Sequence, residues 1–317
     1  MNWKRILRAV FLLTSFLTLF AFSSKAQWLT GYDHRKEIVL DGAQIAGAVS
    51  DFPVLIQRTD TDLRDNALAS GHDIVFTGDD GTTLLDHDLE SYNSGTGALV
   101  AWVKVDNMAA ATDETIYMYF GNASATDPDT DRDQVWDTDF VGVWHLGGTY
   151  DDVSGNGNNM TNNGAVSAAG RVGNGDFLDE DDEDWLETPS SADFNLSNLT
   201  VSFWMNITDH QDWDRIITRH MDVASPITNY GLFISDTDRM LFEVTHNDNN
   251  VSYLFSNTTL TMNGSTWYHV ALVLDGTRKR IYINGVEDVS TPETRPLATL
   301  SSPEPFVLGR RPPPPNL

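Results

Sequence analysis

The sequence predicts an all-β protein made of two β-sandwich domains. Short apolar runs with a period of two recur from Ile38 to Leu308, and Gly, Asn and Asp residues separate them. Successive side chains of a strand point to opposite faces, so this alternation is typical of half-buried strands. No stretch carries a strong 3.6-residue apolar stripe, and one short helix is expected over residues 62–70. The close spacing of the turns favours sandwiches.

Three segments show the strand pattern most clearly. Ile116, Met118 and Phe120 alternate with two tyrosines, and residues 201–206 alternate in the same way. Residues 267–283 contain two apolar runs that Asp275 and Gly276 separate, and an Asn-Gly pair follows at 284–285. Asp-Gly and Asn-Gly supply the positive φ angles of tight hairpin turns. This last segment therefore predicts a meander of three antiparallel strands.

The chain divides into three predicted parts. Lys4, Arg5 and Arg8 precede an apolar run over 9–22, and small residues stand one and three positions before Gln27. This pattern predicts a signal peptide over 1–26. A membrane anchor is the alternative, but fourteen residues at about 1.5 Å each are shorter than a bilayer core of about 30 Å. The polar, turn-rich segment 123–133 then separates domains at 27–134 and 135–317.

Charge and composition exclude several functions. The chain of 317 residues has 46 acidic and 20 basic residues, a formal net charge of -26. Binding to a phosphate backbone needs clustered Lys and Arg, so nucleic acids are not expected partners. The chain has no Cys, so its stability must come from core burial or bound metal, without disulfides. It also lacks the G-x-S-x-G, H-E-x-x-H and Walker motifs of common catalytic sites.

The second half resembles the laminin-G-like, concanavalin-A-like jelly-roll family. Segments 143–146 (VWHL), 152–158 (DVSGNGN), 199–204 (LTVSFW), 267–271 (WYHVA) and 281–285 (IYING) carry the resemblance. It implies two packed antiparallel sheets that commonly serve adhesion or carbohydrate recognition. Members of the family usually continue with a further strand after a segment like 306–309. Here Arg310, Arg311 and four prolines follow, and proline cannot donate to a strand ladder, so we expect a jelly roll cut short at its C-terminus.

The first half resembles a small β-sandwich family of unknown function that often precedes such jelly rolls in exported bacterial proteins. The matching segments are 32–38, 51–55, 71–76, 101–105 and 116–122. The same pairing occurs ahead of TolQ/ExbB-like proton-channel proteins. The resemblance therefore implies an exported protein, and it offers a transport complex or a downstream membrane domain as one partner. It names no ligand.

The best candidate for a metal site is the loop 151–159 (DDVSGNGNN). Calcium binds carboxylate, amide and backbone oxygens, and Asp151, Asp152, Asn156 and Asn158 could supply them around the glycine turns. The related jelly rolls often bind calcium near their edge. The alternative is a polar turn in which Asp and Asn side chains bond to the backbone. The acidic run 179–184 is expected to be a solvated loop.

The best candidate for sugar binding is Trp213. It lies in a polar, loop-like segment with His210 and Asp212, and sugars are bound by flat aromatic faces beside hydrogen-bonding groups. A packing role at the rim of the sandwich is the alternative for Trp213. The tryptophans at 144, 204 and 267 lie in strand patterns and are expected to fill the core.

These features predict an exported, non-catalytic binding or adhesion module for glycans or cell-surface polymers, with calcium holding a loop. Its expected location is extracellular, on the cell surface or in the periplasm. A sensor or scaffold of a membrane transport complex is the alternative. A polysaccharide-degrading glycoside hydrolase comes third, because such enzymes need two nearby carboxylates and their usual E-x-D-x-x-E spacing does not occur. Glu183 and Glu187 are the carboxylates to test for that activity.

Overall fold

The computed structural model describes residues 27–126, 129–179, 181, 183–210, 213–222, 225–298 and 304–309. Three parts of the sequence interpretation lie outside these residues: the signal peptide of residues 1–26, Asp212, and the arginine and proline run over 310–315. Within the described residues, strands predominate, as the sequence predicts. No helix in these ranges is long and apolar enough to cross a membrane.

Seven strands and two short helices form the first sandwich. A 3₁₀ turn lies at Gly42–Gln44 and a helix, α1, at Thr61–Asn66, within the region where the sequence predicts a helix. Helix α1 begins where the Asp60 carboxylate accepts the backbone N–H of Asp62 at 2.9 Å. The strands are β1 His34–Leu40, β2 Val49–Thr59, β3 Val75–Thr77, β4 Leu84–Leu85, β5 His87–Asn93, β6 Ala98–Met108 and β7 Glu114–Phe120.

The seven strands form two antiparallel sheets with one core between them. One sheet has the order β1-β7-β3-β4 and the other the order β2-β6-β5. Ile116, Met118 and Phe120 face this core, as their alternation predicts. On β6 the core side chains are Leu99, Val103 and other alternate residues, so the opposite face of the three-stranded sheet is left for other contacts.

The second sandwich contains thirteen described strands. They are β8 Thr161–Asn163, β9 Val166–Ala169, β10 Asn174–Phe177, β11 Trp185–Glu187, β12 Leu199–Met205, β13 Asp214–Asp222, β14 Ser225–Ile234, β15 Arg239–Thr245, β16 Val251–Thr259, β17 Tyr268–Leu274, β18 Arg278–Ile283, β19 Val286–Pro292 and β20 Phe306–Leu308. Two short 3₁₀ helices, Asp129–Val135 and Ala192–Phe194, complete the described elements.

A seven-stranded sheet packs against a four-stranded sheet around the core of the second sandwich. The larger sheet has the order β16-β15-β14-β13-β20-β11-β8, and the smaller has the order β12-β17-β18-β19. Strands β9 and β10 pair separately as a hairpin. Leu232, Phe242 and Leu272 are among the fully buried core residues. The predicted meander is confirmed, with φ angles of 53° at Asn284 and 80° at Gly285 in its second turn.

The chain segment that opens the second sandwich packs on the free face of the three-stranded sheet. The rings of Trp102 and Trp136 lie 5.5 Å apart between centroids. Lys104 of β6 donates to the backbone oxygen of Gln134 at 2.7 Å. Trp102 and Trp136 belong to an apolar cluster between the two domains, which we call the interdomain cluster. Its members are Trp102, Val135, Trp136, Phe140, Val143 and Val153.

A buried charged network joins the edges of the two sheets in the second sandwich. Lys279 is fully buried and donates to the backbone oxygen of Ser252 at 2.8 Å. Glu293 accepts two hydrogen bonds from the Arg295 guanidinium, each 3.0 Å long, and lies 3.3 Å from the His246 ring. Burial by itself raises the pKa of the Glu293 carboxyl, but the hydrogen bonds from Arg295 and Ser252 outweigh it and lower the pKa to about 2.

We predict that Glu293 gives the fold acid-sensitive stability. A carboxyl whose pKa is lower in the folded state stabilises it above the unfolded pKa, and this contribution disappears as the pH falls from about 4.5 towards 2. Glu293→Gln should lower the free energy of unfolding at pH 7 by roughly 2 to 3 kcal/mol and flatten its decline below pH 4.5. Urea unfolding across pH 2–7 measures both effects. Glu287→Gln changes an exposed carboxylate and serves as the control. The prediction would be contradicted if the free energy of unfolding depended on pH in the same way in the two variants.

Candidate functional site

A row of side chains crosses four strands on the outer face of the seven-stranded sheet. The strand register places Arg215 beside Phe233, Phe233 beside Leu241, and Leu241 beside Phe255. The next row pairs Glu243 with Tyr253. The adjacent residues Leu232 and Phe242 face the core instead. Strands β14 and β15 therefore carry apolar side chains, Phe233 and Leu241, on the outer face as well as on the core face.

These residues line an open groove with a volume of ≈ 350 Å³. Phe233 and Leu241 form its floor and are only 5% and 3% exposed. Trp213 and Tyr253 are 47% and 55% exposed, so their rings stand at the side of the groove and meet solvent. We call this feature the Trp213 groove. Its lining residues are Trp213, Arg215, Phe233, Leu241, Glu243, Tyr253 and Phe255.

The backbone at Trp213 is in the left-handed region, with φ at 70°. Large side chains rarely adopt this conformation, and it costs about 1 to 3 kcal/mol. The Trp213 N–H donates to the backbone oxygen of Ile234 at 2.9 Å, immediately before β13 begins its ladder with β14. The hydrogen bond to β14 therefore holds Trp213 in this strained backbone conformation, which places its indole ring at the groove.

Two charged side chains lie among the rings of the groove. The Arg215 guanidinium lies 5.2 Å from the centroid of the Phe233 ring, within the range of a cation–π contact. Burial and the neighbouring Glu243 carboxylate raise the pKa of Tyr253. The Tyr253 hydroxyl is consequently neutral at physiological pH and can donate a hydrogen bond. The groove thus combines apolar faces with a cation, a carboxylate and a phenol.

Of the three residues that the sequence analysis grouped as a sugar site, the structure describes Trp213 and His210, and these two have different surroundings. Trp213 lines the groove. The Nε2 atom of His210 lies 2.8 Å from an oxygen of Asp238, and His210 is not among the lining residues. Asp212 is outside the described residues. The alternation of β14 to β16 could have indicated the remaining lining residues, because Phe233, Leu241 and Phe255 are apolar at positions facing away from the core.

The loop predicted to bind calcium is held by hydrogen bonds around Asp152. One oxygen of this buried carboxylate accepts the N–H of Val143 at 3.0 Å and both the N–H and the hydroxyl of Ser154. The other oxygen accepts the N–H of Asn158 at 3.0 Å. The carboxylate therefore joins this loop to the segment that opens the second sandwich.

The side chains of the other three predicted ligands do not converge with the Asp152 carboxylate. Asn156 donates its amide to the backbone oxygen of Phe140 at 2.6 Å, and Asn158 donates its amide to that of Val141 at 2.9 Å. Asp151 is exposed. No group of three or more His, Cys, Asp or Glu side chains in the described ranges is placed to hold a metal ion. The arrangement fits a hydrogen-bonded turn better than a calcium cage, and calcium binding stays a prediction.

The tryptophans that were expected in the core behave differently from one another. Trp144 packs on the core, and its ring stacks on Phe306 with centroids 5.8 Å apart. The expectation was wrong for Trp204, which is 39% exposed. Val201 and Phe203 turn towards the core, so the alternation places Trp204 on the outer face of the four-stranded sheet. There it contacts His269 and the guanidinium of Arg171.

The acidic run is partly solvated and partly structural. Asp181 and Glu183 are exposed, whereas Asp184 is buried and accepts the N–H of Asp179 at 3.0 Å. Glu187 lies in β11. Among the described residues of the run, Asp181 and Glu183 thus meet solvent, whereas the buried Asp184 carboxylate binds the backbone of Asp179.

Two family models match the chain. Residues 180–316 match the concanavalin A-like lectin/glucanases superfamily, and residues 70–163 match a domain of unknown function, DUF2341. Both predicted resemblances are confirmed. Residues 180–316 thus form a concanavalin A-like domain, and a domain of unknown function precedes it. The search of the curated proteins finds no match.

Several solved structures are similar to about half of this chain. The binding domain of Paraclostridial Mosquitocidal Protein 1 has 14% identity and a TM-score of 0.38, and the match covers 50% of this chain and 46% of that one. Domain 4 of AbnA, an extracellular arabinanase from Geobacillus stearothermophilus in complex with arabinotriose, has 19% identity and a TM-score of 0.40. That match covers 52% of this chain and 81% of that domain. A structure of botulinum neurotoxin type C has 13% identity and a TM-score of 0.42, and the match covers 55% of this chain and 43% of that one. At this distance a common ligand does not follow from similar strands.

We predict that Asp152 stabilises the fold through its hydrogen bonds. Asp152→Ala leaves the buried N–H of Asn158 and the half-buried N–H groups of Val143 and Ser154 without this acceptor, and it should lower the free energy of unfolding by about 2 to 4 kcal/mol in the presence of chelator. The exposed neighbour Asp151→Ala is the control and should cost under about 0.5 kcal/mol. If calcium also binds, added calcium raises the melting temperature of the parent chain and not that of Asp152→Ala. Equal stability of the two variants in chelator would contradict the hydrogen-bond account.

Proposed function

We propose that the second sandwich binds glycans in the Trp213 groove and that the chain serves as a non-catalytic binding module. The observation that carries this proposal is the pair of half-exposed rings, Trp213 and Tyr253, beside an apolar floor in a groove of ≈ 350 Å³. A volume near the lower end of the range for ligand pockets suits a short stretch of sugar units. The match of residues 180–316 to a superfamily of lectins and glucanases is consistent with it.

The chemistry of the groove suits a polyhydroxylated ligand. The C–H face of a sugar ring is apolar and packs on an aromatic ring, whereas its hydroxyls need donors and acceptors at the edge. Trp213 and Tyr253 offer the rings, and Arg215 offers a planar donor. Glu243 offers acceptor oxygens. A ligand that stacks here would also cover two large side chains that otherwise face water.

The proposal includes export of the chain. Its support is the basic, apolar and small-residue pattern of residues 1–26, together with the acidic composition that keeps a protein soluble outside the cell. Cell-surface or environmental polysaccharides are the ligands that an exported module meets. Adhesion to such polymers would follow from binding at the groove.

We predict that Trp213→Ala weakens glycan binding by about 5- to 30-fold, because a stacked ring contributes on the order of 1 to 2 kcal/mol. A glycan array identifies the oligosaccharide, and titration calorimetry then measures its affinity for each variant. Trp204→Ala removes an exposed tryptophan from the other sheet and should leave the affinity unchanged. An array without any signal, or equal losses in the two variants, would contradict the proposal.

A second substitution separates binding from stability. Trp213→Gly also removes the ring but relieves the left-handed backbone, so it should be more stable than Trp213→Ala by about 1 kcal/mol. Both variants should nevertheless lose affinity to the same extent. If affinity instead followed the melting temperature, the tryptophan would act through folding rather than through contact with the ligand.

A further inference from the structure

The two sandwiches meet around a histidine that lies between two carboxylates. The Nε2 atom of His145 is 2.7 Å from Asp88 Oδ2, and its Nδ1 atom is 3.3 Å from Glu90 Oε2. Both carboxylates belong to β5 in the first sandwich, whereas His145 belongs to the segment that opens the second. The three side chains are at most 12% exposed. A charged contact therefore lies at the interface beside the interdomain cluster.

Asp88 and Glu90 each also accept a hydrogen bond from a tryptophan indole. The Trp136 indole donates to Asp88 at 3.2 Å, and the Trp102 indole donates to Glu90 at 2.9 Å. The β9–β10 turn also covers Glu90, because a Cβ atom at Gly173 would lie 2.3 Å from Glu90 Oε1. The two indoles belong to the interdomain cluster, so the charged and apolar parts of the interface are joined.

Asp88 and Glu90 are the charged side chains that face the His145 ring within the described residues. On the neighbouring strand β6, Lys104 pairs with Asp86 at 2.7 Å rather than with either of these carboxylates. Burial raises the pKa of Glu90, and the charge of Asp88 raises it further. The charge of His145 and the hydrogen bond from Trp102 act in the opposite direction. The stability of two ionised carboxylates at this contact thus depends on the charge of one imidazole.

We propose that His145 is a proton-dependent latch between the two sandwiches. A doubly protonated imidazole donates to Asp88 from one nitrogen and to Glu90 from the other. A neutral imidazole has only one N–H, so one carboxylate loses that donor and the other nitrogen presents a lone pair to it. Two partly buried carboxylates then face each other without a cation between them, which destabilises the closed interface.

The sign of the pH dependence follows from proton linkage. Only the closed interface places both carboxylates where a protonated imidazole donates to them, whereas in an open form water hydrates them. Rising pH removes the second proton of the imidazole and so shifts the population towards the open form. Because one proton is released, the ratio of open to closed molecules can rise by at most about tenfold per pH unit. Histidine changes its charge between pH 5 and 8, so the response falls in the range of natural environments.

Energy transfer between two dyes can test the latch in the whole chain. The chain has no Cys, so Ala110→Cys and Ser265→Cys place one exposed label site on each sandwich without competing thiols. We expect the transfer efficiency to change in a single transition over the pH range in which histidine changes its charge. His145→Gln should remove this change and hold the efficiency at the value that the parent reaches at high pH.

Two further variants make the result specific. Glu90→Gln leaves only the Asp88 carboxylate beside His145, and a neutral imidazole can donate to that carboxylate from one nitrogen. The transfer efficiency of this variant should therefore stay at the low-pH value of the parent at every pH. If Glu90→Gln does not fold, Asp88→Asn is measured instead. His269→Gln removes a histidine of the outer sheet face and should keep the response of the parent. A constant efficiency in the parent, or a pH response that persists in His145→Gln, would overturn the latch.

Discussion

Strands β14 and β15 of the seven-stranded sheet carry apolar side chains on both faces, and each set has to be covered from water. The four-stranded sheet covers one face through residues such as Leu232 and Phe242. On the other face Phe233 and Leu241 would meet water if the rings of Trp213 and Tyr253 did not stand beside them. Because these rings cover the floor without closing over it, a groove remains. The candidate site thus results from incomplete burial of an otherwise buried surface.

Local signals in the sequence predict local structure well. Asn284 and Gly285 determine a tight turn by their own backbone preferences, so the meander could be predicted without knowledge of the rest of the chain. Trp213 could be singled out by its polar surroundings. Tyr253 could not, because it reaches the groove only through its register with Glu243 on the neighbouring strand. The contact of His145 with Asp88 joins residues in different sandwiches, which no local pattern specifies.

Residue type alone does not distinguish a hydrogen-bonded turn from a metal site. The loop around Asp152 has the oxygen-rich composition that calcium binding requires. In the structure, its side chains reach different backbone groups: the Asp152 oxygens accept N–H groups, and the Asn158 amide donates to Val141. A cation needs several oxygens that converge on one point. Convergence is a property of the folded loop, which the order of residues in the sequence does not reveal.

Buried and half-buried carboxylates serve as cross-links in this chain, which has no Cys. Asp73 accepts N–H groups from Leu68 and Gly121 and so ties distant segments of the first sandwich. Asp288 accepts the N–H of Thr258 and joins β19 to β16 across the two sheets of the second. Each of these carboxylates accepts an N–H group from a segment far along the chain, which is the role that a disulfide has in other proteins. The contact that we propose at His145 is of another kind, because there an imidazole N–H is the donor and a carboxylate of the other sandwich is the acceptor. A carboxylate that accepts backbone N–H groups has donors that are always present, whereas the second donor of the imidazole is present only while the ring is protonated. The link between the sandwiches is therefore the one that a proton can make or remove.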